Sequence, residues 1–97
     1  MVSIVREAGD FAEDKDVAAR IREDLIRKAV EARRKVTLDF KGVTLVTQSF
    51  VHALVSDVLR SNGEAALKYI VFKSCKPGVK GIVETVVQYS LESLDDS

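Results

Sequence analysis

Thr47, Gln48 and Ser49 form a short polar segment after an apolar run, and His52 follows Ser49 by three residues. Hydroxyls at such a place have two chemical uses. One is to cap a helix, with the side-chain oxygen accepting from an unpaired backbone N–H of the first turn. The other is modification, because a phosphate there would meet free N–H groups and the positive end of the helix dipole. Ser49 reads first as the cap and second as a modification site; Thr47 is a weaker version of both. Ser49 and His52 also lie close to one helical turn apart, the spacing of a nucleophile and its base. No oxyanion motif or Gly-x-Ser-x-Gly accompanies them. His52 therefore reads as an exposed helix residue, on a polar side shared with Ser56 and Arg60.

The remaining reactive types are scattered. Asp39 sits inside an apolar run, with no His, Cys or carboxylate at metal-ligand spacing. Its side chain is expected to satisfy backbone groups of the following turn at Lys41-Gly42. Cys75 is flanked by Lys73 and Lys76, cations that would lower a thiol pKa; a plain unpaired thiol is the simpler reading. Gly78 and Gly81 lack the spacing and the terminal Lys-Ser/Thr of a phosphate loop. Arg33-Arg34-Lys35 falls at the end of a helical pattern, where cations offset the negative end of the dipole. A patch for phosphate or an acidic partner is the alternative there.

The elements that must position these residues follow from periodicity. Val2 to Val5 reads as a first strand at an edge, Ala8-Gly9-Asp10 as a turn, and Phe11 as an anchor for the return segment. A long helix opens near Asp14 and Asp16, with Asp16 the expected N-cap. Its apolar face is Val17, Ala18, Ile21, Leu25, Ala29 and Ala32, opposite Arg20, Glu23, Arg27, Glu31 and Arg34. Glu23 is spaced to pair with Arg27 one turn on. Val36 to Phe40 reads as a buried strand. A second apolar run, Val43 to Val46, leads into Thr47-Gln48-Ser49. The next helix carries Val51, Leu54, Val55 and Val58 on one face and ends at Ser61-Asn62-Gly63. Leu67 to Phe72 reads as a strand, Ser74 to Gly78 as a loop, and Val79 to Ser90 as a helix despite its β-branched residues. Asp95-Asp96-Ser97 reads as a solvated acidic tail. Strands alternating with helices imply a mostly parallel sheet, and a chain this short has helices to cover mainly one face.

Composition narrows the function classes. The 97 residues suit one small α/β domain over 1–97. Lys plus Arg and Asp plus Glu are both 15, so the net charge is zero, against general nucleic-acid binding. No apolar run approaches the roughly 20 residues of a membrane span. A single Cys and the absence of a secretory pattern at the start point to the cytoplasm.

Leu38-Asp39-Phe40, Gly42-Val43 and the loop Thr47-Gln48-Ser49-Phe50 before a helix resemble the STAS superfamily, the sulfate-transporter and anti-sigma-factor-antagonist domains. The Ser-Phe pair at the helix start is closer to a bacterial STAS-like branch of unknown function, often found with histidine-kinase-type ATPase domains. The resemblance implies a small α/β domain of STAS-like fold and a protein partner, such as a histidine-kinase-type ATPase acting as an anti-sigma factor. In the antagonists the first Ser of the loop accepts phosphate; that position is Gln48 here, and Ser49 matches the second Ser. Thr47 stands for the family's Asp and Phe50 for its Gly. The standard phosphorylation switch is therefore not carried over.

These readings converge on a non-enzymatic interaction or regulatory module without a cofactor. Its expected partner surface is the loop Val46, Thr47, Gln48 and Ser49. The competing expectation is a small-ligand binder or small enzyme using the same loop.

Overall fold

The computed structural model describes residues 1–92; the tail expected at Asp95-Asp96-Ser97 lies outside the described residues. In chain order the elements are β1 (Val2–Ser3), α1 (Ile4–Ala8), β2 (Phe11–Ala12), α2 (residues 15–31), β3 (Val36–Asp39), β4 (Leu45–Val46), α3 (residues 48–62), a 3-10 helix (Gly63–Lys68), β5 (Ile70–Lys73) and α4 (Pro77–Glu92). This is an α/β fold in which every strand pairing is parallel: one sheet in the order β1-β3-β5 and a second of β2 and β4.

Side-chain alternation sets the layers. Val36 and Leu38 of β3 and Ile70 of β5 are buried, whereas Thr37 and Asp39 are half-buried and Val71 and Lys73 exposed. Residues two apart share a face of a strand, so the helices cover one face and leave the other open. Phe40 is fully buried, with its ring 6.4 Å from that of Phe72. Phe50, Leu54 and Leu59 of α3, Ile26 of α2 and Val79 of α4 close the core from the helix side.

Several boundaries differ from the sequence reading. The edge strand β1 is confined to Val2–Ser3, because Ile4 turns into α1 and is fully buried there. Phe11 is 47% exposed and pairs in register with exposed Leu45; Ala12 takes the buried place expected of Phe11. Asp14, not Asp16, caps α2: its Oδ1 accepts from the backbone N–H of Asp16 at 2.9 Å and of Val17 at 3.4 Å. The helix starts two residues earlier than expected and takes Asp16 into its first turn. The last strand is Ile70–Lys73 rather than Leu67 to Phe72, since Gly63–Lys68 continues from α3 as a 3-10 helix that buries Ala66. Helix α4 begins at Pro77, inside the expected loop; a proline suits the first helical turn, where its missing N–H is not needed. Ser56 is buried rather than on a polar side, and its Oγ accepts from Ser90 of α4 at 3.0 Å.

The expected apolar face of α2 also breaks midway. Ala18 and Ile21 are buried, but then Ile26 and Val30 are, and Leu25 is 42% exposed. A π-helical turn at Arg22–Ile26, seen in the bond from Arg27 N–H to Arg22 O, inserts one residue and advances the face by one position. Helix α3 carries a matching π-turn at His52–Ser56. The two turns face each other, and Arg22 Nη1 donates to the Ala53 carbonyl across the contact at 3.0 Å.

Candidate functional site

Four local devices position the polar loop. Asp39 ends β3, and its Oδ1 accepts from Lys41 N–H at 3.0 Å, starting the turn. Gly42 then takes φ +87°, and Val43 N–H reaches back to the Phe40 carbonyl at 3.0 Å. A Cβ at Gly42 would sit 3.4 Å from the Val5 side chain, in a conformation that L-residues rarely adopt. The returning segment is braced from below: Thr44 and Leu45 N–H donate to the Asp10 carbonyl, and Thr47 N–H to the Ala12 carbonyl. Finally, Thr47 caps α3, its Oγ1 accepting from Phe50 N–H at 3.0 Å.

Ser49 is therefore not the cap. It stands two residues past the cap, inside the first turn of the helix, and is exposed beside Gln48. Phe50 and Val51 turn inward and are fully buried, anchoring the helix start. Val46 is buried, so its contribution to the surface is to fix the loop beneath the exposed pair. His52 is exposed.

Gln48, Ser49, His52 and Ala53 form one wall of an open cleft of about 610 Å³. Lys15 at the start of α2 and Val86 and Tyr89 of α4 form the others. The side chains of Lys15, Gln48, Ser49, His52 and Tyr89 make no hydrogen bond or ion pair among the described residues. The mouth of α3 is thus a polar surface over an apolar floor of Ala53 and Val86, with Lys15 its one cation among the lining residues. Periodicity in a single element could not reveal this cleft, because its walls come from three helices.

Asp39 and Cys75 lie apart from it. Burial pushes the Cys75 thiol above its ordinary range, and Lys80 offsets this in part. Neither Lys73 nor Lys76 lowers it; burial outweighs the one nearby cation, in keeping with the reading of a plain unpaired thiol. Among the described residues no three His, Cys, Asp or Glu side chains gather as a metal site, and no helix is long and apolar enough to cross a membrane.

A strand-to-loop-to-helix centre on a small parallel sheet, with helices on one face, defines a small α/β domain of the STAS-like kind. Residues 17–80 match the family model described as a STAS-like domain of unknown function (DUF4325), and the chain belongs to that family. The match runs from the first turn of α2, through β3, the capped loop and α3, to the start of α4. No curated protein and no solved structure matches the chain.

Proposed function

We propose that this domain is a non-enzymatic regulatory module that binds a protein partner through the loop Val46 to Ser49 and the exposed start of α3. The observation that carries this reading is the division of labour at the loop. Thr47 satisfies the helix end, and Val46, Phe50 and Val51 anchor it. Gln48 and Ser49 are left exposed without a structural task of their own. A rigid scaffold presenting free polar side chains is how loops commonly carry recognition. Membership of a STAS-like family supports the interaction role. The partner class we propose is a histidine-kinase-type ATPase of the anti-sigma-factor kind, met in the cytoplasm. Phosphorylation of Ser49 or Thr47 would regulate it differently. Ser49 is exposed and available, whereas phosphate on Thr47 would displace the cap.

The second reading, a small-ligand binder or small enzyme, is favoured by the cleft itself, whose volume lies within the range of small-molecule sites. Capture of partners followed by mass spectrometry, run beside a thermal-shift screen of metabolites, separates the two. A kinase-like ATPase retained by wild type and lost by Ser49→Asp supports the interaction role. A metabolite that raises Tm through the cleft, with no such protein, overturns it. Catalysis is tested at His52. His52→Ala is expected to leave every activity of the domain intact; a hydrolysis of ester or nucleotide panels that disappears in this variant contradicts the non-enzymatic reading.

A further inference from the structure

The parallel ladder between β3 and β5 fixes which backbone groups of β5 remain free. Val36 N–H donates to the Tyr69 carbonyl at 2.7 Å, and Phe40 N–H to the Lys73 carbonyl at 2.9 Å. Residues along a strand turn their N–H and C=O alternately to either side. Tyr69, Val71 and Lys73 therefore spend theirs on β3, and Ile70 and Phe72 point theirs the other way. β5 ends the sheet order, so this outer row has no strand partner among the described residues.

Beneath the edge runs an apolar groove. Ile70 and Phe72 of β5 form one side and Val83, Val87 and Leu91 of α4 the other. The α4 residues recur at four-residue spacing, a stripe extending past the last strand. Glu84 on the rim faces Lys80, 3.9 Å away on the same helix. On the opposite face of the sheet Lys73 is exposed at the end of β5; Lys68 in the 3-10 helix before the strand and Lys76 in the loop after it are exposed as well. None of these three lysines has an ion pair among the described residues.

We propose that the outer edge of β5 is a second interaction surface, which takes an extended amphipathic segment of a partner protein as an added strand. Its backbone pairs with the free groups of Ile70 and Phe72. Alternate apolar side chains fill the groove against α4, and the acidic side chains between them meet Lys73 and its neighbours. Strand addition draws affinity from main-chain bonds and selectivity from alternate side-chain positions. A second copy of this chain fits less well, because it would bring its own Lys68, Lys73 and Lys76 to the same edge. This surface is independent of the loop before α3.

The test uses the full chain labelled with 15N and a short synthetic peptide alternating valine with aspartate or glutamate. Saturable binding is expected, with the largest amide shifts and the strongest slowing of hydrogen exchange at Ile70 and Phe72. Lys73→Glu, at an exposed position opposite Asp39 in the β3–β5 register, is expected to weaken that peptide about fivefold, and a peptide with lysine in place of the acids is expected to bind this variant better than wild type, a gain that loss of folding could not produce. No binding, or shifts confined to other elements, overturns the proposal. So does protection of Ile70 and Phe72 that appears with protein concentration alone, which would make the edge a self-association site. An edge that stays in fast exchange with every peptide would mean that the lysines serve to keep strands away.

Discussion

At the residue scale the loop is held by side chains of different kinds, and the sequence distinguished them unevenly. Asp39 and Gly42 were legible because the turn chemistry of Asp followed by Lys-Gly is local. The choice between Thr47 and Ser49 was not. Both are good capping types, and the decision rests on where Phe50 and Val51 must point to be buried, which is a tertiary fact. The assignment has a direct consequence. Thr47→Ala is expected to destabilise the domain by about 1 kcal/mol, and Ser49→Ala to stay within about 0.5 kcal/mol, by denaturant unfolding. The reverse order would return the cap to Ser49. Arg33 offers a second case. It holds φ +56° just past α2, where Arg33 N–H bonds the Val30 carbonyl and Arg34 N–H the Ala29 carbonyl. That is the left-handed helix ending that glycine favours. Arg33→Gly is expected to raise stability by about 1 kcal/mol in the same assay; a loss would mean that the arginine side chain contributes more than its backbone conformation costs.

At the element scale, the type of each long segment was readable and its phase was not. The apolar spacing of α2 named Ile21 correctly and then followed a straight helix to Leu25. A π-turn moves the buried position to Ile26. Nothing in the spacing announces that turn, because Leu25 and Ile26 are both apolar and either can face a core. The facing turn in α3 and the Arg22 to Ala53 hydrogen bond show why the shift holds: the Ala53 carbonyl receives a guanidinium donor across the contact. Unfolding measurements on two variants check the phase. Ile26→Ala is expected to cost about 2–5 kcal/mol, and Leu25→Ala below about 1 kcal/mol. Equal costs, or the larger cost at Leu25, would restore the straight helix. The strand at Leu67 to Phe72 was displaced for a related reason. Tyr, Ile, Val and Phe carry strand propensity, but Ala66 is buried in the 3-10 helix that follows α3, and the chain reaches the sheet only at Ile70.

At the scale of the whole molecule, alternation of strands and helices gave the parallel α/β class, and the family match to residues 17–80 agrees with it. The β2 and β4 pair escaped the sequence reading because each strand is two residues long, too short for any periodicity. That small sheet nevertheless positions the loop, since the Ala12 carbonyl holds Thr47 and so sets the start of α3. The cleft beside it joins α2, α3 and α4, and no single stretch of sequence contains it. The molecule thus presents a fixed loop, with exposed Gln48 and Ser49, at the meeting point of its three long helices. The most direct test of this account is the affinity of the captured partner for wild type, Ser49→Asp and Gln48→Glu, with Tm recorded for each. Both substitutions place a negative charge at the proposed contact without touching Thr47 or the core. Binding is expected to weaken by about tenfold or more in both variants, because an unpaired charge buried at an interface is costly, with Tm at or above the wild-type value, because negative charge suits a helix start. Wild-type affinity in both variants, at unchanged Tm, would contradict it and place the partner elsewhere on the domain.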